Sequence, residues 1–356
     1  EDPTPYRRVY FKETNRTQDD WTDLISLTKA LSQSSDETFE SEVDRWIDSP
    51  HWIRFLAVEA FYVNKETALG NGFGDDYYLY RSEQDGRFRL LPYDQDTILG
   101  QGDTRVYRSK QDGRFWILPY EKNTILGQGD TRADPHASLW EANRGPVTRR
   151  LLNWPAFAPL FYSNLVELAT GPLSTERLRP FLDHLLQGSN VPSTRQAQTI
   201  EFAAARSRFI LATVNKTLTA EVPLTKEGQI YRAPAGTTSI EGLWGTSDPT
   251  RTVTVKVNGE NATWDPSLIR WTAPSLPLEK GRNRFTVEAF DRRGATIDRQ
   301  GFEIEVAITK TSLVRSPALT THTTWKTGDP ARIINHPLRV PAGIELRIEP
   351  GVEVRF

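Results

Sequence analysis

Apolar and polar positions follow two different periods along the chain, and the period changes near Asn215. Before that point, apolar residues recur every three to four positions, as they do on one face of a helix. This spacing predicts helices after Asp20, over about 37–47, after Pro50, and over 146–152, 156–169, 175–186 and about 194–213. Residues 6–12 mix aromatic and β-branched side chains with basic ones, which favours a short strand there.

After Asn215 the chain alternates apolar and polar residues, the period of a strand with one buried face. Turn signals lie at Asn258-Gly259, Lys280-Gly281 and Arg293-Gly294. Short strands at this spacing over 216–308 predict an immunoglobulin-like β-sandwich. Residues 309–356 end in three alternating runs separated by Pro-Ala-Gly and Glu-Pro-Gly. One such unit cannot bury both of its faces, so it should be the first turn of a stacked array.

One stretch within the helical part occurs twice in tandem. Residues 78–104 are followed at once by 105–131, and 19 of the 27 aligned positions are identical. Each copy has Asp-Gly between β-rich runs, which predicts a hairpin. Three adjacent differences replace Asp94-Gln95-Asp96 with Glu121-Lys122-Asn123. A copy that keeps the hairpin but loses the paired aspartates points to those aspartates as the functional residues.

Asp94 and Asp96 follow the first hairpin, and a glycine-broken loop, GNGFGDD, precedes it. Two carboxylates at a strand end suit Mg²⁺, which takes one or two carboxylates together with phosphate oxygens. The alternative is a solvated acidic turn. The glycine loop leads into a strand rather than a helix, so it does not predict a phosphate cradle at a helix N-terminus.

Composition excludes several classes of function. The formal net charge is −2, so no strong basic field indicates a nucleic-acid partner. There is no cysteine, which excludes disulfides, thiolate catalysis and Cys-ligated metal. The five histidines lack HExxH spacing. No apolar run is long enough for a transmembrane segment. Neither a signal peptide nor any methionine occurs in the sequence, so we expect a fragment or processed piece of a longer protein.

The segment YYLYRSEQDGRFRLLPYDQDTILG resembles the spore-coat protein H (CotH) kinase family, whose members carry a YYLY-type strand followed by an aromatic-Asp-x-Asp motif. The segment YRRVYFKETNRTQDDWTDLISLTKAL and the helices from Pro146 to about Val214 also match, so the resemblance covers residues 1–215. It implies an atypical kinase-like fold, ATP, magnesium and phosphoryl transfer to protein hydroxyls. The modules after it resemble the immunoglobulin-like and right-handed β-helix modules of large secreted bacterial proteins.

The expected fold class is therefore α+β and multidomain. Residues 1–215 form a mostly helical, kinase-like domain that lacks its N-terminal part and has a β-hairpin core with the repeat at 78–131. An all-β immunoglobulin-like sandwich follows over 216–308, and the start of a β-helix-like segment occupies 309–356.

By the resemblance, Asp94 corresponds to the family's metal-binding Asp, and Asp96 lies two residues after it. Both are expected to bind the metal and the ATP cofactor. The family places a catalytic Asp about six residues before the first Tyr of its strand and an Asn five residues later. Here Asn71 and Asp76 take those positions, so the two residue types are exchanged. A neutral amide cannot accept a hydroxyl proton as a carboxylate can. Asp75 or Asp76 takes the role of the catalytic carboxylate if the glycine loop shifts the register. Asp76 is also a candidate metal ligand.

Two further departures concern the nucleotide and the repeat. The family's nucleotide-binding lysine lies in a part that precedes this chain. The duplication inserts a second hairpin where the family has one. We expect the first hairpin to form the site and the second to lie beside it; the reverse assignment would place Glu121 and Asn123 in the site.

Three functions follow from these residues. The first is a fragment of a secreted or cell-surface bacterial protein with CotH-like, ATP- and magnesium-dependent kinase activity on a protein substrate; without the family's lysine, the fragment alone is expected to be inactive. The second is a non-catalytic extracellular scaffold, or a spore-coat or cell-surface structural protein, whose degenerate kinase-like domain and β modules contact neighbouring proteins. The third is a calcium-binding module, although neither an EF-hand loop nor tandem nonapeptides occur.

Overall fold

A computed structural model describes the chain except for residues 1, 65–68, 70–76, 94–103, 109–114, 120–133, 188–192, 215 and 308–310. The described residues before position 215 form eight helices and two hairpins, and those after it are almost entirely β. The helices are α1 Thr4–Val9, α2 Thr22–Gln33, α3 Phe39–Trp46, α4 Ser49–Tyr62, α5 Pro146–Asn153, α6 Ala158–Thr170, α7 Thr175–Leu185 and α8 Ser193–Val214. The chain is therefore α+β, as predicted.

The helices predicted from the 3.6-residue period are confirmed, but the strand predicted over residues 6–12 is wrong. The structure has helix α1, Thr4–Val9, in that region. Pro5 lies in its first turn, where the fixed φ of proline suits a helix start and its missing N–H is not needed. The Arg7 amide donates to the Pro3 carbonyl oxygen at 3.1 Å. Local proline geometry thus outweighs the β propensity of the aromatic residues.

Helix α4 is the centre of the first hydrophobic core. Trp52, Ile53, Leu56 and Phe61 on this helix are at most 1% exposed, and α6 packs along it with Phe161 in the same cluster. Burying each such side chain contributes roughly 1.5–3 kcal/mol. Helices α2, α3, α5, α7 and α8 add their apolar faces to this cluster, so α4 is fixed on several sides.

The tandem repeat forms two hairpins of the same size and register. Strands β1 Tyr77–Arg81 and β2 Phe88–Pro92 pair antiparallel from Tyr77 opposite Pro92 to Arg81 opposite Phe88. Strands β3 Thr104–Arg108 and β4 Phe115–Pro119 pair from Thr104 opposite Pro119 to Arg108 opposite Phe115. Each strand boundary and each residue pair of the second hairpin lies one repeat period after its counterpart in the first. The predicted hairpins are therefore confirmed.

The region after residue 215 contains an eight-stranded sheet in the order β5-β6-β14-β13-β9-β10-β11-β8 and a two-stranded sheet of β7 and β12. The strands are β5 Thr225–Glu227, β6 Ile230–Ala233, β7 Ser239–Ile240, β8 Trp244–Gly245, β9 Thr254–Val257, β10 Glu260–Asp265, β11 Arg270–Thr272, β12 Leu276–Pro277, β13 Gly281–Phe290 and β14 Thr296–Val306. The predicted Asn258-Gly259 turn joins β9 to β10 with φ values of 49° and 86°, as a type I′ turn requires. The immunoglobulin-like assignment stays a prediction.

The last described segment pairs its strands in parallel. The strands are β15 Thr311–Leu313, β16 Thr323–Trp325, β17 Ala331–Ile333, β18 Leu346–Ile348 and β19 Val354–Arg355. β17 lies between β15 and β19, and β16 pairs with β18. Parallel neighbours separated by one turn of chain are the arrangement that a stacked β array requires. The assignment to a β-helix itself stays a prediction.

A buried polar contact joins the helical core to the eight-stranded sheet. The Tyr162 hydroxyl on α6 donates to the Pro266 carbonyl oxygen at 2.5 Å and accepts from the Trp140 indole Nε1 at 3.2 Å. Tyr162 is fully buried, and burial raises the pKa of its hydroxyl. Ile269, from the sheet region, packs into the helical core. The sheet is thus attached through the turn between β10 and β11.

Removing this hydroxyl tests the attachment. In Tyr162→Phe, the Pro266 carbonyl and the Trp140 indole lose their buried partner, and we expect the free energy of unfolding to fall by about 1–3 kcal/mol. Urea unfolding followed by circular dichroism measures it. The neighbouring Ser163→Ala removes an exposed hydroxyl bonded to the Thr250 carbonyl, and should change stability by less than about 0.5 kcal/mol. Equal losses in the two variants would contradict the attachment.

Candidate functional site

The predicted site residues flank the first hairpin in the sequence, next to the two strand ends that form its open end. Tyr77, the first residue of β1, pairs with Pro92, the last residue of β2. Asp76 precedes Tyr77 directly and Asp94 follows Tyr93. The strand that begins after Asp76 and the strand that leads to Asp94 are therefore hydrogen-bonded neighbours. Asn71, Asp75, Asp76, Asp94 and Asp96 themselves lie outside the described residues.

The closed end of this hairpin is ordered by local hydrogen bonds. The Ser82 amide donates to the Arg87 carbonyl at 3.0 Å, and Gly86 adopts a φ of 70° that glycine tolerates without strain. Asp85 accepts from Arg89 at 2.7 Å. The hydrogen bond from Arg89 lowers the pKa of the Asp85 carboxyl, so this group is ionised at neutral pH. The turn predicted at Gln84-Asp85-Gly86 is confirmed.

Backbone carbonyl groups of β2 attach the hairpin to the start of α4. The Phe88 carbonyl oxygen accepts from the Trp52 indole Nε1 at 2.8 Å and from the Asp48 amide at 3.1 Å. The Leu90 carbonyl oxygen accepts from His51 Nε2 at 2.7 Å. Phe88 is 5% exposed and Leu90 is 0% exposed. The inner face of β2 is therefore part of the core, which fixes the hairpin relative to α4.

A second contact ties the hairpin to α2. Arg81, at the end of β1, places its guanidinium 3.2 Å from the Asp23 carboxylate in the first turn of α2. The same side chain donates to the Gly86 carbonyl oxygen at 3.1 Å. The Arg81 end of β1 is thus restrained by a residue that lies far away in the sequence.

The hydroxyl groups of Tyr77 and Tyr10 lie 3.0 Å apart. Tyr77 is mostly buried, and burial, followed by the interaction with Tyr10, raises the pKa of its hydroxyl. This pair joins the residue directly after Asp76 to the segment after α1. Sequence reasoning missed it because nothing in either local pattern indicates a partner 67 residues away.

The outer face of the hairpin is aromatic and exposed. Tyr78, Tyr80 and Tyr93 are 40%, 50% and 49% exposed. The rings of Tyr78 and Tyr93 are inclined to each other, with centroids 4.5 Å apart. Tyr93 therefore packs on β1 just before the chain reaches Asp94.

Arg206 on α8 joins the two segments that border the repeat region. Its guanidinium donates to the Ala60 carbonyl oxygen near the end of α4 at 2.7 Å, and to the Pro135 carbonyl oxygen at 3.0 Å. A third bond goes to the Ala137 carbonyl oxygen. Arg206 is 0% exposed, and burial lowers the pKa of its guanidinium to about 10, so it stays charged at neutral pH.

Sequence reasoning also missed Arg206. In the segment AAARSRF it looks like its neighbour Arg208, which is exposed. The helical period gives one available signal, because Ala203 and Ile210 lie on the buried face of the same helix. Arg206 is one turn after Ala203 and one turn before Ile210, so it falls on that face.

The described residues contain no cluster of three or more His, Asp or Glu side chains able to hold a metal ion. The predicted magnesium ligands are not among those residues, so the magnesium prediction remains untested. Over the same described part of the chain, no helix is long and apolar enough to cross a membrane.

Exchanging Arg206 for Met tests its role in joining the segments. Three carbonyl oxygens lose a charged donor, and we expect the free energy of unfolding to fall by about 2–4 kcal/mol. Arg208→Met on the same helix is the matched control and should cost less than about 0.5 kcal/mol. Urea denaturation of both variants provides the measurement. Indistinguishable midpoints would show that Arg206 does not hold these segments together.

The comparisons with known proteins agree with this arrangement. A family model described as "CotH kinase protein" matches residues 1–212, which include all the helices up to most of α8 and both hairpins. The chain is 32% identical over 94 residues to "Inner spore coat protein H" of Bacillus subtilis (strain 168). That match covers 26% of this chain and 24% of the relative, so the chain aligns with about a quarter of that protein. Because the family model matches more than half of its residues, the chain belongs to the CotH kinase protein family.

Proposed function

We propose that residues 1–212 bind magnesium and ATP and transfer a phosphoryl group to a protein hydroxyl. The observation that carries the proposal is the pairing of Tyr77 with Pro92. It makes neighbours of the strand after Asp76 and the strand before Asp94. Membership of the CotH kinase protein family supports the same reaction class.

The donor set at this end of the hairpin fits the cation. Asp76, Asp94 and Asp96 offer only carboxylate oxygens, the ligands that Mg²⁺ prefers together with phosphate oxygens. A magnesium ion held there would supply positive charge to offset the charge that develops on the transferred phosphate. Asp94 and Asp96 would hold the ion. Asp76 would accept the proton of the substrate hydroxyl, a role open to a carboxylate but closed to the amide of Asn71.

The hairpin attachment supplies the positional precision that such a site needs. Phosphoryl transfer depends mainly on orientation and electrostatics, and misplacement by about 1 Å can cost roughly a hundredfold in rate. The bonds from Trp52, Asp48 and His51 hold β2 to α4 immediately before the predicted ligands. We infer that α4 is the scaffold of the site.

The relative's printed name suggests a location and partners. It is an inner spore coat protein, so we propose a spore-coat or cell-surface location for this chain. Neighbouring coat or surface proteins would then be its phosphate acceptors. The exposed aromatic face of Tyr78, Tyr80 and Tyr93 lies beside the proposed site and is open to such a protein.

A second candidate is a non-catalytic structural protein with the same fold. The exchanged residue types at Asn71 and Asp76 favour it, because the family's catalytic carboxylate position holds an amide here. In that case the hairpins and the parallel strands after residue 310 would serve as contact surfaces. The two candidates differ in whether magnesium and ATP bind.

Asp94→Asn separates them. We expect magnesium–ATP to raise the melting temperature of the full-length protein, with the family's lysine-bearing part included, by roughly 5–10 °C at a concentration about a hundred times the Kd. Asp94→Asn should lose most of that shift, and autophosphorylation with labelled ATP should fall at least about a hundredfold. Differential scanning fluorimetry and a phosphate-transfer assay measure the two effects.

The repeat provides the matched control for this experiment. Glu121 occupies the position of Asp94 in the second copy, so Glu121→Gln should leave the thermal shift and the phosphate transfer unchanged. If magnesium–ATP causes no shift in the full-length protein, the kinase proposal fails and the structural candidate stands. A loss in Glu121→Gln but not in Asp94→Asn would move the site to the second copy.

A further inference from the structure

We propose that the second hairpin, formed by strands β3 and β4, can replace the first at its binding position on α4. We call that position the hairpin dock and define it as Ile47, Asp48, His51 and Trp52. The first hairpin occupies it in the structure, with Phe88 beside Ile47 in a parallel bridge. The two hairpins would be alternative occupants of one dock within a single chain.

The dock binds main-chain atoms of β2. Its polar groups are the Trp52 indole N–H, the Asp48 amide and His51 Nε2, and all three bond to carbonyl oxygens of Phe88 or Leu90. Such acceptors exist in any strand of the same register. β4 has that register relative to β3, since Phe115 pairs with Arg108 as Phe88 pairs with Arg81.

The buried positions of the first hairpin have close counterparts in the second. Phe88, 5% exposed, corresponds to Phe115, and Leu90, fully buried, corresponds to Ile117. A Leu-to-Ile exchange conserves volume and is tolerated in most cores. Arg81, which reaches Asp23 on α2, corresponds to Arg108. Three of the residues that fix the first hairpin, Phe88, Leu90 and Arg81, therefore have identical or similar counterparts in the second.

The differences favour the first hairpin modestly. Arg89 lies 2.9 Å from the Asp48 carboxylate, and the second copy has Trp116 at that position. Both partners of this ion pair are about one quarter exposed, and such pairs contribute little. Leu79 corresponds to Val106, which is smaller by one methylene. Tyr77, whose hydroxyl lies 3.0 Å from that of Tyr10, corresponds to Thr104, so this pair is lost as well. These three losses explain why the first hairpin is the occupant without excluding the second.

The segments that connect the hairpin to the helical core have similar lengths for the two occupants. With the first hairpin docked, the connections to the helical core are residues 65–76 and 93–133. With the second docked, they are residues 65–103 and 120–133. Each arrangement has one short and one long connection, and only their order along the chain differs. Because the entropy of loop closure depends only on the logarithm of length, the two arrangements have similar closure costs.

The exchange has a consequence that rests on the proposed function. Asp94 and Asp96 follow the first hairpin, whereas Glu121 and Asn123 follow the second. Replacing the occupant would substitute one carboxylate and one amide for the paired aspartates. The same scaffold would then carry a site with weaker magnesium binding.

A double-mutant cycle in the full chain tests the exchange. Leu90→Asp expels the first hairpin by placing a charge in the core, and Ile117→Asp does the same to the second. We expect each single variant to lower the melting temperature by less than about 3 °C, because the other hairpin fills the dock. The double variant should lose about 10 °C, far more than the sum. If Leu90→Asp alone loses as much as the double variant, the dock accepts only the first hairpin and the proposal is wrong.

Crosslinking identifies the occupant directly, and the absence of cysteine from the chain makes it specific. A short bis-maleimide should join Asp48→Cys to Arg89→Cys in the unaltered background. It should join Asp48→Cys to Trp116→Cys within one chain only after Leu90→Asp is added. No crosslink at position 116 in that background, or one only between two chains, would overturn the proposal.

The magnesium–ATP thermal shift of Leu90→Asp separates this inference from the proposed function. A crosslink at position 116 with a reduced shift supports both. A crosslink at position 116 with the shift retained supports the exchange and contradicts the assignment of Asp94 and Asp96. No crosslink at position 116 contradicts the exchange, and the test of the proposed function then rests on Asp94→Asn alone.

Discussion

The Phe88 carbonyl oxygen, which accepts from both the Trp52 indole and the Asp48 amide, is the contact on which the first hairpin depends. A two-stranded hairpin is marginally stable by itself in water. It holds one position here because the inner face of β2 is buried and its carbonyl groups find donors on α4. Since Trp52 is itself 1% exposed, the donor cannot move without disturbing the core. The hairpin is thus held rigid by its contacts with the helices.

Arg206 extends this rigidity to the segments around the repeat. A buried guanidinium is costly unless its N–H groups have acceptors. Three carbonyl oxygens accept from the two terminal nitrogens of Arg206, whereas its Nε has no hydrogen-bond partner among the described residues. Two of these belong to the segment after the repeat, and the third lies near the C-terminal end of α4, where the helix dipole favours a cation. One charge therefore fixes the two chain segments that border residues 65–133. The length of the insertion between them matters little to the core, so a duplicated hairpin can be accommodated.

Much of this fold follows from local sequence patterns. The helical periods, the Asp-Gly and Asn-Gly turns and the identical registers of the two hairpins all depend on residues close together in the chain. The prediction for residues 6–12 was wrong because proline at the helix start outweighed β propensity. The helical period indicates that Arg206 is buried, but its partners and the Tyr10–Tyr77 pair could not be predicted, because the partners are 67 or more residues away in the sequence. Of the site, the sequence predicted the hairpin that leads to Asp94, while the roles of Asn71, Asp76, Asp94 and Asp96 stay predictions.

The division of labour within the hairpin explains the pattern of differences between the two copies. The groups that dock β2 are main-chain carbonyls and two apolar side chains, and in the second copy they are kept or conservatively replaced. The residues proposed for the chemistry flank the strands in the sequence and are different from the residues that dock β2. Substitutions at 121–123 can therefore accumulate without loss of the hairpin. When different residues form the scaffold and carry the proposed chemistry, a duplicated element can keep its scaffold while losing its chemical groups. That is the pattern in this sequence.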